Sequence, residues 1–220
     1  MHRYLSFARP WFGLVAAVAL LGVVLQFVAT AVDSQPYSVF DSTGARVANV
    51  LCFFTILSNL LVGGVHARFA VAGGPYSRLQ RVLALAAVVS IAVTGIVYNL
   101  VLAATSNPQG LHQVANVLCH MVTPLIAVVG WLVFGPRGLI DRQIVLLSAI
   151  YPAAWLAFTL VRGAFIDWYP YPFVDVVALG YGRVAINCVV VAVLFLGLGF
   201  GALGLDRHLP GPRVQPALPH

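Results

Sequence analysis

The sequence predicts an all-α integral membrane protein in which six transmembrane helices form one bundle. The chain has 220 residues, of which 61% are hydrophobic and 8% are charged, with a mean hydropathy of +0.96. A soluble domain contains roughly a quarter charged residues, so a soluble fold is excluded. Six apolar runs can each cross a hydrocarbon core of about 30 Å, which takes about 20 helical residues. The runs are continuously apolar and do not alternate, which favours helices over the strands of a barrel.

The six predicted spans, in chain order, are 11–32, 47–67, 81–104, 113–134, 143–163 and 181–205. The first run is too long for the apolar region of a signal peptide, which has roughly 7–15 residues, so we assign it as a span. In the sixth run, Gly197 and Gly201 have the GxxxG spacing that favours close helix packing. We expect residues 1–205 to form a single domain and residues 206–220 to form a proline-rich, disordered cytoplasmic tail.

Arginine fixes the predicted orientation, because all twelve cationic residues are arginine and all six acidic residues are aspartate. With the N-terminus inside, nine arginines lie on the inner side and three on the outer side, which favours cytoplasmic termini. The three on the outer side are Arg46, Arg162 and Arg183. This bias, with abundant Ala, Val, Leu and Gly, is typical of a GC-rich bacterial genome and predicts a multi-pass plasma-membrane protein. Arginines that flank spans account for the net charge of +6, so we expect no nucleic-acid partner.

Polar side chains gather in the outer half of the predicted bundle. At about 1.5 Å per residue, Thr55 lies about 12 Å below the outer end of its span and His120 about 10 Å below the end of its own. Asn187 reaches a similar depth, whereas we expect the inner half to be almost purely apolar apart from Ser148 and Tyr151. Such residues often serve only as hydrogen-bonding contacts between transmembrane helices. A layer that includes a histidine nevertheless points to a site facing the outer side.

The residue types in this layer suit nucleophilic catalysis. A threonine hydroxyl becomes a nucleophile when an adjacent base takes its proton, and histidine is the usual base, so we expect Thr55 to meet His120. No aspartate lies within a span, so a backbone carbonyl or an asparagine is expected to orient His120. The candidate oxyanion donors are the side-chain amides of Asn59, Asn116 and Asn187. The candidate partners of a substrate carboxylate are Arg183 and Arg162.

Cofactor chemistry is not indicated. His66 and His112 lie near opposite membrane ends, which leaves His120 without a second axial ligand for haem. Cys119 and His120 are adjacent and point about 100° apart on a helix, which disfavours a shared metal site. We therefore expect no metal and no organic cofactor.

The loop 164–180 contains Asp167-Trp168-Tyr169-Pro170-Tyr171-Pro172-Phe173, an aromatic and proline-rich segment. Tryptophan and tyrosine are common at headgroup depth, so the segment can be an interfacial belt. A lid over a site is the other interpretation that the sequence leaves open.

Two stretches carry a family resemblance: Phe54-Thr55-Ile56-Leu57-Ser58-Asn59 in the second span and Asn116…His120…Pro124 in the fourth. They resemble the signature segments of the androgen-induced-gene family of six-pass membrane proteins, and more closely its bacterial six-pass relatives. The animal members are intramembrane threonine hydrolases that cleave fatty acid esters of hydroxy fatty acids. The resemblance implies that Thr55 is the nucleophile and His120 the base. The chain departs from the animal pattern at Val117, where that pattern has a further histidine, and in the later position of Asn59.

The sequence thus favours a membrane-embedded hydrolase of lipid esters, with membrane lipids and a lipid ester as its partners. The alternative is a transporter or a small-ligand or lipid-binding protein that uses the same polar layer without catalysis.

Overall fold

The structure, a computed structural model, describes residues 2–33, 40–72 and 76–211. Within these ranges the chain is all-helical and contains no β-strand, which confirms the all-α part of the predicted fold class. The α-helices are α1 His2–Val32, α2 Thr43–Val50, α3 Phe54–Val71, α4 Arg78–Val97, α5 Gly110–Val117, α6 Thr123–Phe134, α7 Arg142–Ser148, α8 Ile150–Ile166 and α9 Val176–His208. Two π-helical turns (Tyr98–Leu102 and Leu118–Val122) and two 3-10 turns (Ala103–Thr105 and Pro172–Val174) complete the described elements.

Six helical stretches are long and apolar enough to cross a membrane, each within a few residues of a predicted run except at the start of the second. They are Phe7–Val32, Phe54–Val71, Arg78–Thr105, Gly110–Phe134, Arg142–Ile166 and Val176–His208. We call the end of the bundle that holds Val32, Thr43 and Ile166 the site end, and the end that holds Phe134 and His208 the opposite end. The assignment of the site end to the outer face of a membrane remains a prediction.

Two apolar clusters position the helices. Helix α1 packs along α3, α5 and α6, while α4 contacts α3, α6, α7 and α9. In the first cluster, small side chains let α1, α3, α4 and α6 approach closely; it contains Val15, Ala19, Val62, Ala87, Ile91 and Ala127. The second cluster joins α4 to α7 and α9 through residues such as Leu85, Val145 and Phe195. Helix α4 is therefore the element that the two halves of the bundle share.

The second predicted span is broken just before the site. The sequence indicates one helix over 47–67, but α2 ends at Val50 and α3 begins at Phe54 after a turn. Tertiary contacts stabilise the break, because the indole of Trp155 donates to the carbonyl of Cys52 at 2.9 Å and the extended Phe53 packs against Tyr171. Asn49 and Cys52 therefore do not share a helix face with Thr55. Thr55 instead lies in the first turn of α3.

The opposite end contains buried charge, which corrects the expectation of an almost purely apolar inner half. Arg137 is fully buried, donates to the carbonyl of Leu132 and lies over the ring of Trp131. Asp206 accepts hydrogen bonds from the backbone N–H groups of Gly138 and Ile140 at 3.0 and 3.2 Å. These charges satisfy the backbone where the chain leaves α6, so they have a structural role.

The last helix is longer than the predicted span. It ends at His208 and includes Asp206, which the sequence assigns to the disordered tail. Most of that predicted tail, residues 212–220, lies outside the described residues. Gly197 and Gly201 do not mediate close packing within the part of the chain that the structure describes, because a methyl group added at either position would meet no described atom within 4 Å.

Candidate functional site

Thr55 and His120 are brought together at the site end. The Oγ1 atom of Thr55 lies 3.1 Å from Nε2 of His120, within hydrogen-bonding distance. Thr55 is 6% exposed and comes from the first turn of α3, whereas His120 comes from the π turn that joins α5 to α6. Two segments 65 residues apart in the sequence therefore form one contact.

A backbone carbonyl fixes the tautomer of His120. Its Nδ1 atom lies 3.1 Å from the main-chain oxygen of Asn116. A carbonyl only accepts hydrogen bonds, so Nδ1 carries the proton and Nε2 presents its lone pair. The hydroxyl of Thr55 consequently donates to Nε2. This is the orientation in which an imidazole can take the proton of a nucleophile.

The ring of Tyr98 stacks on one face of the His120 imidazole. The two rings stack with their centroids 4.0 Å apart and an interplanar angle of 27°. The hydroxyl of Tyr98 accepts a hydrogen bond from the side-chain amide of Asn116 at 2.6 Å. The ring of His120 is thus constrained by a stacking partner and by the backbone one turn before it.

Tyr98 and His120 both lie in π turns, and Pro124 explains the π turn at His120. Proline has no N–H group, so the carbonyl of His120 cannot receive the usual helical hydrogen bond from position 124. The backbone N–H of Thr123 bonds instead to Leu118, which also frees the carbonyl of Cys119. Amides on neighbouring helices fill these positions: Asn59 donates to Cys119 at 3.2 Å and Asn99 to His120 at 3.3 Å. Short π segments are frequent at functional sites.

Tyr171, like Tyr98, is a residue at the site to which the sequence analysis gave no role. Its hydroxyl oxygen lies 3.2 Å from Oγ1 of Thr55 and accepts the backbone N–H of the same residue at 3.1 Å. Tyr171 belongs to residues 167–175, which we call the cap segment. The sequence signal was the aromatic-proline run, which left a belt and a lid both open. The structure places this run over the beginning of α3.

The cap segment is anchored at several points. The ring of Tyr169 packs where a side chain on Gly163 would stand, so this close approach requires glycine on α8. Trp168 makes edge-to-face contacts with Phe40 and Phe53 at centroid distances of 5.3 and 5.8 Å. Asn187 donates from α9 to the carbonyl of Phe173 at 2.9 Å. Tyr171 is therefore held in place by both α8 and α9.

Two cavities meet at the Thr55–His120 pair. The apolar cavity, of about 250 Å³, lies between α4, α8 and α9 and is lined by residues such as Val93, Val97, Leu156, Val191 and Phe195. The polar cavity, of about 510 Å³, opens at the site end and is lined by residues such as Gln26, Asp33, Gln109, His112 and Asn116. Thr55, Tyr98, His120 and Tyr171 line both cavities. The hydroxyl and the imidazole thus stand at the junction of an apolar and a polar compartment.

The predicted oxyanion donors have other roles. Both hydrogen bonds of the Asn59 amide go to carbonyls, those of Thr55 and Cys119. The side-chain amide of Asn116 donates to the hydroxyl of Tyr98, and its main-chain carbonyl accepts from His120. Asn187 lies behind the cap segment, on Phe173. In each case at least one amide hydrogen is directed at a protein oxygen.

The two predicted carboxylate partners also lie away from the pair. Arg162 donates to the side chain of Asn49 at 2.9 Å and lies over the ring of Trp168 at 5.3 Å. Arg183 is exposed on α9. Neither arginine belongs to the described walls of the two cavities. That these arginines hold a substrate carboxylate stays a prediction, to which this geometry adds no support.

Comparison with models of known protein families, with curated proteins and with solved structures finds no match to this chain. The likeness of the second and fourth spans to the androgen-induced-gene family thus stays a resemblance of a few residues. The geometry of Thr55, His120, Tyr98 and Tyr171 is the evidence on which a function can be argued.

Proposed function

We propose that the protein is an intramembrane hydrolase of lipid esters in which Thr55 is the nucleophile and His120 the general base. The observation that carries the proposal is the hydrogen-bonded chain from Thr55 Oγ1 through His120 to the carbonyl of Asn116. A single hydrogen bond between Thr55 and another polar side chain would fit a purely structural role as well as a catalytic one. A tautomer set to accept the hydroxyl proton, beside two cavities, supports catalysis.

The reaction proceeds in two steps. Oγ1 of Thr55 bonds to the acyl carbon while Nε2 of His120 takes the hydroxyl proton. The bond from the acyl carbon to the alcohol oxygen then breaks, and His120 gives its proton to the departing alcohol. In the second step His120 takes a proton from water, whose oxygen attacks the acyl carbon. The fatty acid leaves and Thr55 regains its proton.

The two cavities suggest how the ester is oriented. The apolar cavity suits the acyl chain, because its described walls are almost entirely hydrocarbon and aromatic rings. The polar cavity suits the alcohol part, since amide and imidazole groups line it. Asp33 is the charged residue of its described walls, so an uncharged polar alcohol part fits better than a carboxylate.

The lipid reaches the site from the bilayer. Six helices of membrane-spanning length support a bilayer position in which the apolar cavity, between α4, α8 and α9, is at the depth of the hydrocarbon core. The arginine distribution supports an orientation with both termini in the cytoplasm and the site end outside. The composition supports a bacterial plasma membrane as the location.

An alkyl fluorophosphonate, which phosphonylates activated hydroxyl nucleophiles, tests the proposal on the purified protein in lipid nanodiscs. We expect wild type to be labelled and to hydrolyse long-chain esters. Thr55→Ala and His120→Ala are expected to lose both activities. Thr159→Ala is the matched control, because Thr159 is a buried threonine on α8 outside the described walls of both cavities.

A transporter or lipid-binding protein would give a different pattern. Thr55→Ala would then weaken lipid binding, while folded wild type would form no covalent adduct and release no fatty acid. That result would contradict the proposed hydrolase.

A further inference from the structure

The phenol of Tyr171 lies beside Thr55, with its oxygen 3.2 Å from Oγ1 of that residue. Its oxygen lies at the N-terminus of α3, where it accepts the backbone N–H of Thr55 at 3.1 Å. A helix N-terminus favours negative charge, because its first N–H groups have no partner within the helix. Tyr171 is 8% exposed and lines both cavities.

The position of each hydrogen in the network can be deduced. The Thr55 hydroxyl donates to Nε2 of His120, because that nitrogen carries no proton. The backbone N–H of Thr55 donates to the phenol oxygen, so the phenol hydrogen is free to point elsewhere. Its acceptor in the resting site is Oγ1 of Thr55, 3.2 Å away. In such a chain, each hydrogen bond polarises the next.

We propose that Tyr171 is a catalytic residue of the hydrolase proposed above, and that its hydroxyl donates a hydrogen bond to the oxyanion of the tetrahedral intermediate. When Oγ1 bonds to the acyl carbon, it becomes an ether-like oxygen and a poorer acceptor. The carbonyl oxygen acquires the negative charge at the same moment, next to the same phenol. The phenol hydrogen then turns from Oγ1 to the oxyanion, and no proton is transferred to or from Tyr171.

The surroundings of Tyr171 suit a neutral donor. Burial raises the pKa of Tyr171 to about 12, against the opposing effect of its hydrogen bonds with Thr55 and Phe54. The phenol therefore keeps its hydrogen at neutral pH. The ring stacks on Phe173 with centroids 5.3 Å apart and contacts Phe53 edge-on at 5.6 Å. A donor fixed before the reaction needs no reorganisation as charge develops.

Both amide hydrogens of Asn59 are directed at protein carbonyls. Asn116 and Asn187 each direct one amide hydrogen at a protein oxygen. Neither of them forms a hydrogen bond with Thr55 within the described residues, whereas Tyr171 does. Tyr171 instead has a hydrogen that can change its acceptor within the reaction. The inference rests on the proposed function, since an oxyanion exists only if Thr55 attacks an ester.

The test compares Tyr171→Phe with Tyr169→Phe, which removes a phenol hydroxyl from the same segment at a residue that does not contact Thr55. We expect Tyr171→Phe to lower kcat about 10²–10³-fold, as for other losses of an oxyanion donor, with KM nearly unchanged. A long-chain alkyl trifluoromethyl ketone, which forms a tetrahedral oxyanion adduct on the nucleophile, should bind more weakly by a similar factor. Tyr169→Phe should retain wild-type kcat and inhibitor affinity.

If wild type hydrolyses esters and Tyr171→Phe stays within about threefold of it in kcat, the inference on Tyr171 is overturned and the hydrolase stands. If folded wild type releases no fatty acid, the proposed function fails and this inference with it. Should Tyr171→Phe not fold, 2,3-difluorotyrosine at position 171 keeps the ring and the hydroxyl but makes the phenol more acidic. Loss of the phenol hydrogen at high pH removes the donor, so kcat should fall as the phenol ionises. The fluorinated residue should move this fall to lower pH, and an unchanged pH profile would overturn the inference.

Discussion

His66, which is buried, and His120, which is partly buried, make the same local hydrogen bond at different ends of the bundle. Nδ1 of His66 lies 2.9 Å from the carbonyl of Val62, and Nδ1 of His120 lies 3.1 Å from that of Asn116, four residues earlier in each case. The rings of Phe12 and Phe69 pack edge-on against His66, whereas a hydroxyl and two cavities face His120. The helix therefore sets the tautomer in both places. What lies opposite Nε2 distinguishes a structural histidine from one suited to catalysis.

The largest expected effect separates these two histidines directly. His120→Ala should lower the rate of ester hydrolysis by about 10³-fold or more, because it removes the base that activates Thr55. His66→Ala should leave kcat within a few-fold of wild type. It should lower the free energy of unfolding by about 1–3 kcal/mol through lost packing. Fatty-acid release and thermal unfolding in detergent measure the two quantities, and equal loss of activity in both variants would contradict the comparison.

The cap segment covers the site end, and Gly163→Ala tests how it is attached to α8 through Tyr169. The added methyl group would overlap the ring of Tyr169, so we expect a cost of about 1–3 kcal/mol in stability. Displacement of the segment should also lower kcat. Gly197→Ala is the matched control, because nothing lies within 4 Å of the added methyl group and alanine favours the helix by up to about 1 kcal/mol. Equal unfolding temperatures in the two variants would show that Tyr169 does not fix the segment.

The carbonyls that the π turn at His120 leaves unbonded within its helix accept hydrogen bonds from the side chains of Asn59 and Asn99, whereas the helix at His66 has no such turn. Asn59→Leu keeps the size of the side chain but removes the donor to the carbonyl of Cys119, at a cost of about 1–3 kcal/mol. Ser90→Ala is the control, since Ser90 is a buried polar residue whose hydroxyl has no hydrogen-bond partner within the described structure. Chemical denaturation should show a much smaller effect for that change. Similar losses for both would mean that the Asn59–Cys119 contact contributes little.

The smallest expected effect concerns the charge of the substrate. Because no arginine lines the described walls of the polar cavity and Asp33 does, an ester whose alcohol part carries a carboxylate should react more slowly than its methyl-capped form. We expect a difference of about tenfold in kcat/KM, which corresponds to about 1.4 kcal/mol. Faster cleavage of the free acid would show that a cation does reach the site.

The spans were predictable from the sequence, because length and apolarity are local properties. The meeting of Thr55 with His120 was predicted from the residue types and the family resemblance, whereas the depth of Thr55 was calculated for a helix over 47–67 that the structure breaks before Phe54. The break before Phe54 was not predictable, since it depends on Trp155 and Tyr171 contacting a segment about 100 residues earlier in the chain. The contact of Arg162 with Asn49 was not predictable for the same reason, because the two residues lie on different helices. Pro124, four residues after His120, was a readable signal for irregular backbone at the site.

The most direct test of the central claim is to locate the acyl group on the protein. Wild type is mixed briefly with a long-chain ester, quenched in acid, digested and analysed by mass spectrometry. We expect the acyl mass on Thr55, its resistance to neutral hydroxylamine, which cleaves thioesters but not oxygen esters, and its absence from Thr55→Val. An acyl group on Cys52 or Cys119 instead, or none on a protein that releases fatty acid, would contradict Thr55 as the nucleophile.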